Sequence, residues 1–370
     1  MKFSCEKALL LNAASTASRA VTAKSNIPSL EGILIEAGSQ LTLTGYNLET
    51  GIRTVIPSDI AEKGSIVINA KIFVDIIRMM PDEFITVSVD NKLGVSVECK
   101  NSHYNIIGID PGEYPELPGL DQKNSLSLEQ RQLRSLIGQT IFSSSDNESR
   151  PVYSGELFEI QGDVLTVVAL DGFRVALRRE HITNESAQDF SFIVPGAALK
   201  EAERISRDSD EEVQIKQGSK HVIFQFGDTT LITRLLEGEF LDYKNAIPRA
   251  NKKICVADRA DLKACVDRVS IIISDDTKTP ARCKFGFGEF SIQATTTLGS
   301  ASDRCVIDGD CGELEIGFNS RYLLDALREI PAGRIKIELG TNITPIVIVP
   351  EEGEENFLYM ILPVRLKTQA

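Results

Sequence analysis

The sequence predicts an α+β protein made of three tandem copies of one domain. The first observation is a pattern that occurs three times, at residues 65–81, 192–207 and 314–331: a short apolar strand, a capping segment, an amphipathic helix and a stop. The second is its spacing of about 125 residues, far beyond the roughly 20–50 residues of a solenoid repeat. The third is that many short apolar runs separated by turn residues surround each helix, which is typical of antiparallel strands. Both helices of a copy are expected on one side of its sheet.

The elements follow from these patterns in chain order. In the first copy, the apolar stripe of Leu9, Leu10, Ala13, Ala17 and Val21 predicts a helix over 7–21. Asn69 and Asn319 stand where helix N-caps belong, and Pro81 and Pro331 where helices must end. The other predicted elements are strands 32–36, 41–44, 52–56, 85–89, 95–99, 104–109, 155–161, 164–169 and 174–177, and helices 128–141, 197–205 and 259–269. The predicted domains are 1–120, 125–249 and 250–370.

Composition favours a soluble cytoplasmic protein. Hydrophobic residues make up 42% and charged residues 25% of the 370. No signal peptide or membrane span is recognisable, so no membrane partner is expected. The seven cysteines are scattered without a Cys-x-x-Cys pair, which favours reduced thiols over disulfides or zinc. The formal net charge of −13 argues against nucleic-acid binding unless basic residues are locally concentrated.

Basic residues do recur on the polar face of each repeated helix. They are Lys71 and Arg78, then Lys200, Arg204 and Arg207, then Arg321 and Arg328. In each copy two of them are seven residues apart, which is two helical turns, so both point the same way. The simpler alternative is a solvated face with ion pairs such as Lys71–Asp75 and Arg321–Asp325. Recurrence in an acidic chain favours a pooled surface that holds phosphates without reading bases.

Six segments of the chain form recognisable motifs: the opening Met-Lys-Phe, Thr-Gly-Tyr-Asn-Leu-Glu at 44–49, Glu-Ser-Arg-Pro-Val at 148–152, Leu-Asp-Gly-Phe-Arg-Val at 170–175, Gly-Phe-Asn at 317–319 and Leu-Pro-Val-Arg-Leu at 362–366. Together they resemble the bacterial sliding clamp family, the beta subunits of DNA polymerase III. The similarity covers the whole chain in order. It implies a head-to-tail homodimeric ring with helices lining the inside and antiparallel sheets outside. Such a ring encircles double-stranded DNA and tethers the replicative polymerase, without catalysis and without a cofactor.

The resemblance also implies roles for individual residues in DNA binding. Lys24, Arg78, Arg150 and Arg204 match basic positions that face DNA, and Asn147 matches a polar one. Gly196 and Ala197 stand where some members carry basic residues, and Lys200 is expected to substitute for them. Lys71 joins this set from the helix-face pattern.

Two protein interfaces are implied in the same way. The dimer interface matches Tyr104 and Ile106 on an edge strand, and Ile271, Ile272 and Ile273 at a helix end; the alternative is that these side chains fill their own cores. A pocket between the second and third domains would bind short linear motifs of the DNA polymerase III alpha subunit, the clamp loader delta subunit, other polymerases and repair proteins. Its matching residues are Tyr153, Leu170, Gly172, Arg174, Val175, Pro248, Tyr322, Ile343, Pro345, Met360, Leu362, Pro363, Val364 and Arg365. Tyr153 and Phe173 differ from the residues that several members of the family carry at these positions. A last strand that is apolar on both faces is equally consistent with burial.

No catalytic motif is recognisable in the sequence. His103, His181 and His221 are isolated, so neither a triad nor a zinc site is expected. Gly-Phe-Gly at 286–288 is interpreted as a hairpin turn, and Asp275-Asp276 and Asp-Gly-Asp at 308–310 as solvated turns rather than metal ligands. Two alternatives stay open: a metal-assisted hydrolase with an interdomain site built from carboxylates such as Asp171 and Asp275, and a protein-interaction scaffold that does not bind DNA.

Overall fold

The computed structural model describes the chain except residues 146, 148, 187, 274–278, 353–355 and 367–370. It consists of two compact units. The first comprises Met1–Arg134, Thr183–Ala187 and Ala197–Leu235; the second comprises Ser135–Ile182, Gln188–Gly196 and Leu236–Ala370. Both units therefore contain part of the central copy. The predicted boundaries of the three domains stay a prediction.

The first copy contains two helices and nine strands. The helices are α1 (Lys7–Ser18) and α2 (Ala70–Met79). The strands are β1 (Lys2–Glu6), β2 (Gly32–Ala37), β3 (Leu41–Tyr46), β4 (Thr50–Ile56), β5 (Asp59–Glu62), β6 (Gly64–Asn69), β7 (Phe84–Val89), β8 (Gly94–Cys99) and β9 (Ser102–Ile107).

The central copy repeats this plan. Its helices are α3 (Gln130–Gly138), α4 (Gly196–Ile205) and the short α5 (Tyr243–Ala246). Its strands are β10 (Asn124–Glu129), β11 (Gly155–Gln161), β12 (Val164–Leu170), β13 (Arg174–His181), β14 (Thr183–Asn184), β15 (Phe190–Pro195), β16 (Glu212–Gln217), β17 (His221–Phe226) and β18 (Thr229–Arg234).

The third copy has fewer but longer strands. Its helices are α6 (Arg259–Ser270) and α7 (Ser320–Glu329). Its strands are β19 (Lys253–Asp258), β20 (Ala281–Thr296), β21 (Gly299–Phe318), β22 (Arg334–Leu339), β23 (Ile346–Pro350) and β24 (Phe357–Ile361).

In the first unit, a strand pairing joins the first copy to the central copy. The nine-stranded sheet has the order β14-β10-β16-β17-β18-β4-β3-β2-β6, and β18 and β4 are antiparallel. Two threonine pairs cross this junction: Thr50 with Thr233 (3.0 Å between the hydroxyl oxygens) and Thr54 with Thr229 (3.2 Å). Such cross-strand pairs stabilise a sheet locally. The five-stranded sheet β5-β1-β7-β8-β9 completes this unit and leaves β9 at an edge.

In the second unit, the equivalent junction joins the central copy to the third. The ten-stranded sheet has the order β15-β11-β12-β13-β24-β23-β22-β19-β21-β20. Strand β24 pairs antiparallel with β13 on one side and with β23 on the other, and four of its five residues are buried. The apolar end of the chain is therefore an interior strand.

Each repeated helix packs one apolar face on its sheet, as the pattern predicts. In α7, Leu323, Leu324 and Leu327 are buried. The Asn69 side chain accepts a hydrogen bond from the Ile72 amide (3.1 Å), and Asn319 accepts one from the Arg321 amide (3.0 Å), so both predicted N-caps are confirmed.

Some sequence expectations were wrong in detail. The helix predicted over 128–141 begins only at Gln130, because Leu128 and Glu129 pair with β16 as the end of β10. Leu9 is 40% exposed, so it lies outside the buried stripe to which the periodicity assigned it.

The predicted turns in the third copy are also wrong. Residues 286–288 lie inside β20, where the register against β21 shifts on both sides of Phe287, so the glycines form a β-bulge rather than a hairpin turn. Gly288 has φ of +74°, which a residue with a side chain rarely adopts. Residues 308–310 likewise lie inside β21, and Asp308 forms an ion pair with Arg334 (2.6 Å). Asp275 and Asp276 lie outside the described residues.

Candidate partner-binding cleft and basic helix faces

The tight turn between β12 and β13 builds one wall of the candidate cleft. The Asp171 carboxylate accepts hydrogen bonds from the backbone amides of Phe173 (2.8 Å) and Arg174 (3.0 Å), which is an Asx-type closure. Gly172 occupies the left-handed region with φ of +90°, so glycine suits this position. The turn pushes the Phe173 ring outward, where it is 58% exposed.

Arg174 anchors this turn to helix α7. Its guanidinium donates to Asp171 (2.9 Å) and to Asp325 on α7 (2.7 Å), and all three side chains are largely buried. Its centre also lies 4.5 Å from the centroid of the Tyr322 ring and 5.5 Å from that of Phe142. Burial raises the pKa of the Tyr322 hydroxyl. Arg174 therefore forms ion pairs with two carboxylates and cation–π contacts with two aromatic rings.

Around this anchor lies a cleft of about 800 Å³. Its lining includes Phe173 stacked on Tyr322, with ring centroids 6.2 Å apart, and the chain-end residue Val364. Cationic and polar lining comes from Arg174, Arg321, Arg328, Asn147, Ser144, Ser145, Asn319 and Thr279. The cleft thus combines an exposed aromatic platform with hydrogen-bonding groups, a usual composition for a ligand site.

A compact apolar cluster lies along the same two strands. Four of the predicted pocket residues belong to it: Leu170, Val175 and Met360 are buried, and Tyr153 packs against them. Tyr153 also meets Phe240 edge-to-face, with ring centroids 5.7 Å apart. The structure therefore brings part of the predicted pocket into one hydrophobic group.

The chain end crosses this region. The Leu362 amide donates to the Phe173 carbonyl (2.8 Å) and the Val364 amide donates to the Gly317 carbonyl (2.7 Å). Between them Pro363 has no amide hydrogen to donate. Leu362 and Pro363 are half-buried, and Val364 and Arg365 are exposed. Leu362 is therefore bonded to the β12–β13 turn, and Val364 lines the cleft.

The other predicted pocket residues are less closely tied to it. Pro248 is half-buried after α5, and Ile343 is 71% exposed in the loop before β23. Pro345 is half-buried, and its carbonyl accepts from the Asn251 side chain (3.0 Å). No contact that the structure describes joins these three to the Phe173–Tyr322 cleft.

Sequence reasoning missed three residues that shape the site. Phe142 stacks under Arg174, Asp325 receives its guanidinium, and Asn319 both caps α7 and lines the cleft. Asp325 appeared in the sequence only as a candidate ion-pair partner of Arg321. The structure pairs it instead with Arg174 and with Arg328 (3.6 Å).

The basic helix faces are exposed as predicted. Lys71, Arg78, Lys200, Arg204, Arg207, Arg321 and Arg328 all point to solvent. Several also have acidic neighbours: Arg78 pairs with Asp75 (2.7 Å), Arg204 with Glu201, and Arg207 with Glu211 (3.7 Å). In the described ranges no ion pair involves Lys71 or Lys200. The Lys71–Asp75 ion pair that the solvated-face alternative suggested is therefore wrong, because Asp75 pairs with Arg78.

The predicted DNA-binding residues outside helices lie in exposed loops. Lys24 follows α1, and Arg150 lies 5.8 Å from the centroid of the Tyr153 ring. The Asn147 side chain accepts from the Ser149 amide (3.0 Å) and hydroxyl (2.8 Å).

The predicted dimer residues divide into two groups. Tyr104 on the edge strand β9 is 40% exposed and Ile271 after α6 is 80% exposed, so both are available to a partner. Ile106, Ile272 and Ile273 pack partly against the cores of their own copies. The neighbouring Ile107, which the prediction did not include, is 85% exposed.

None of the helices in the described part of the chain has the length and apolarity needed to cross a membrane. No group of three or more His, Cys, Asp or Glu within it could hold a metal ion. The Asp171 carboxylate, named for the hydrolase alternative, accepts hydrogen bonds from the backbone amide and the guanidinium of Arg174.

Comparison with known proteins supports the repeat. Models for the N-terminal, central and C-terminal domains of the DNA polymerase III beta subunit match residues 1–118, 127–242 and 244–365. A curated beta sliding clamp from Staphylococcus epidermidis is 29% identical over 99% of both chains. The crystal structure of a putative DNA polymerase III beta subunit from Eubacterium rectale has a TM-score of 0.93 and 33% identity, covering 98% of this chain and 99% of that one. A Pseudomonas aeruginosa sliding clamp, solved bound to griselimycin, has a TM-score of 0.94 and 28% identity, covering 99% of this chain and 100% of that one.

Three tandem clamp domains, each with sheets and helices, therefore define this as a sliding-clamp protein. The comparisons give the hydrolase alternative no support. The chain belongs to the DNA polymerase III beta subunit family.

Proposed function

We propose that the protein is a DNA sliding clamp. Two copies form a head-to-tail ring around duplex DNA, with helices on the inside and sheets outside, and the ring tethers the replicative polymerase. The protein acts in the cytoplasm as a non-catalytic processivity factor. The observation that carries this proposal is the match of three successive clamp domains over residues 1–365.

The DNA contact is proposed to come from the exposed basic helix faces. A duplex inside the ring would meet Lys71, Arg78, Lys200 and Arg204, joined by the loop residues Lys24, Asn147 and Arg150. Lys71 and Lys200 have no acidic partner in the described residues, so their charges are available to phosphates. Binding through phosphates is independent of sequence and weakens steeply with salt. A net charge of −13 on the whole chain would repel DNA from other surfaces.

The repeat itself supports ring closure. The last strand of the central copy, β18, pairs with β4 of the first copy, and the last strand of the third copy, β24, pairs with β13 of the central copy. The last strand of the first copy is β9, which is an edge. If the same rule applies to the first copy, β9 would pair with the start of β21 in a second chain. In the part of the chain that the structure describes, residues 299–306 of β21 pair with β20 on one side and with no strand on the other. This places exposed Tyr104 and Ile107 beside the partner's third domain, where Ile271 is exposed.

The cleft between β13, α7 and the chain end is proposed to bind short linear motifs. Apolar side chains of a peptide would rest on Phe173, Tyr322 and Val364, and backbone groups would meet the polar lining. Exposed aromatic anchors beside a concave surface are typical of such recognition. The expected partners are the DNA polymerase III alpha subunit, the clamp loader delta subunit, other polymerases and repair proteins.

A topological assay tests the clamp directly. Labelled protein is loaded by a clamp loader onto nicked circular DNA, freed from unloaded protein by gel filtration, and split into two samples. One sample is linearised with a restriction enzyme and the other is mock-treated. The proposal predicts that protein stays on the circle and leaves the linear DNA, because a ring slides off an end. Equal retention on both forms would contradict it.

A charge-reversal variant separates the clamp from the scaffold alternative. Changing Lys200 and Arg204 to Glu should reduce loading, while Lys216→Glu on strand β16 should not. If the Lys200/Arg204 variant loads like the unmodified chain, a scaffold without DNA contact is the better account.

A further inference from the structure

Helix α7 begins in the cleft, and its first residue has two hydrogen-bond donors without acceptors. The Asn319 side chain accepts from the Arg321 amide (3.0 Å). The carbonyl of the same asparagine accepts from the amides of Tyr322 (3.1 Å) and Leu323 (3.4 Å). No described contact gives an acceptor to the amide or the hydroxyl of Ser320. The first turn of this ten-residue helix therefore has unused donors.

Ser320 is buried, yet it lines the cleft. Its exposed fraction is 5%, and the residues described around it offer its hydroxyl no hydrogen-bond partner. Two other serines in the lining have satisfied hydroxyls. Ser144 donates to the Ile141 carbonyl (2.8 Å). Ser270 donates to the Val266 carbonyl (2.7 Å). Because a buried hydroxyl without an acceptor is costly, Ser320 favours a ligand atom that accepts from it.

The charges at this end of α7 favour an anionic ligand. The start of a helix carries a partial positive charge, to which anions bind. The described lining of the cleft contains three arginines and one acidic residue: Arg174, Arg321, Arg328 and Asp171. The acidic residue is already satisfied, because its carboxylate accepts from two backbone amides and from the Arg174 guanidinium. Arg328 has Asp325 and Asp267 as neighbours (3.6 and 3.7 Å), so the donors of the helix start, rather than this arginine, fix the position of an anion.

An aromatic surface adjoins these donors. Tyr322 follows closely after Ser320 on α7 and stacks on Phe173, with ring centroids 6.2 Å apart. Val364 lines the same cleft. A ligand that uses both surfaces therefore presents an anionic group next to apolar groups. A linear motif with an acidic residue beside its apolar anchors has this chemistry, whereas the backbone of duplex DNA presents phosphates without apolar anchors.

We propose that Ser320 and the first turn of α7 form an anion subsite, which binds the side-chain carboxylate of an acidic residue in a linear motif. The hydroxyl and the amide of Ser320 donate to the carboxylate oxygens, and the helix start and the lining arginines stabilise the negative charge. The apolar anchors of the motif then rest on Phe173, Tyr322 and Val364. The subsite rests on the proposed binding of linear motifs and adds the class of residue that the cleft selects.

A position-scanned peptide series tests the subsite. The probe is a polymerase C-terminal peptide in which each position in turn carries Asp or its neutral isostere Asn, and Kd is measured by fluorescence anisotropy. We expect the unmodified chain to bind Asp about tenfold more tightly than Asn at one position, the lower end for hydrogen bonds to a charged group. In Ser320→Ala the ratio should fall to about twofold, because only the amide donor remains. The matched control is Ser270→Ala, which should keep the ratio because that hydroxyl already donates to Val266.

The outcomes separate the subsite from the cleft as a whole. If the peptides bind but no position favours Asp, the subsite is refuted while the binding of linear motifs stands; this comparison needs only the unmodified chain, so it does not depend on the folding of a variant. A ratio that Ser320→Ala leaves unchanged, or that Ser270→Ala lowers equally, would also refute the subsite. If no peptide binds, the proposed function of the cleft fails and the subsite with it. If Ser320→Ala keeps the ratio but leaves nicked circular DNA faster than the unmodified chain, the donors serve a backbone phosphate and the proposal is overturned.

Discussion

Replacing Arg174 with alanine should destabilise the second unit severely. The guanidinium is 9% exposed and lies between Asp171 (12%) and Asp325 (18%), so its removal leaves two largely buried carboxylates without their cation. Breaking one side of a buried ion pair costs about 3–5 kcal/mol. The lower end applies, because Asp325 retains Arg328 at 3.6 Å and Asp171 retains two backbone amides. We therefore expect a loss of about 3 kcal/mol.

Differential scanning calorimetry measures this loss. For a unit of this size, 3 kcal/mol corresponds to a decrease in Tm of about 6–12 °C. The matched control is Arg204→Ala, whose guanidinium is 56% exposed and bound to Glu201; an exposed pair contributes about 0–1 kcal/mol. If Arg174→Ala lowers Tm by no more than the control, the arginine does not hold the turn to α7 and the account of the cleft is wrong.

Three further predictions concern the cleft, the edge strand β9 and the N-cap of α2. Phe173→Ala removes an exposed ring from the cleft and should weaken binding of a polymerase C-terminal peptide about 5–30-fold in fluorescence anisotropy without changing Tm, given about 1–2 kcal/mol per peripheral aromatic anchor. Phe287→Ala removes another exposed ring, on β20, and should leave the affinity unchanged; equal affinities for both variants would argue against the cleft. Ile107→Asp places a charge on the edge strand β9 and should shift the mass in sedimentation velocity from dimer towards monomer. The control Leu48→Asp, at another exposed position, should leave the mass unchanged. If the Ile107→Asp variant stays dimeric, β9 is not part of the interface. Asn69→Ala removes the N-cap of α2 and should cost about 0.5–2 kcal/mol in urea unfolding, and a shift no larger than that of the exposed Asn26→Ala would show the cap to be unimportant.

The periodic signals predicted the repeated part of the fold well. Apolar residues at helical spacing marked α2, α4, α6 and α7, and asparagine before two of them marked caps that the structure confirms. These signals are local, because a helix must bury one stripe and satisfy its first amides wherever it lies.

The expectations that were wrong concern residues whose structure depends on contacts between distant segments. Leu128 and Glu129 have no local feature that separates them from the following helix, but β16 takes them into a sheet. The bulge at 286–288 looks like a turn because glycine suits both, and only pairing along the whole of β21 distinguishes them. In the cleft, the resemblance named part of the apolar cluster and the Asp-Gly segment, whereas the roles of Asp325 and Phe142 depend on contacts with Arg174 that only the fold brings about.

Site-specific photocrosslinking tests the central claim, that the basic faces of the repeated helices contact duplex DNA. A benzophenone amino acid is placed in turn at Lys71 and Lys200, and at Lys220 in the β16–β17 turn as a control. Each protein is loaded onto nicked circular DNA and irradiated. The account predicts crosslinks to the duplex from the two helix positions and none from Lys220. Crosslinks from Lys220 alone, or equally from all three positions, would contradict it.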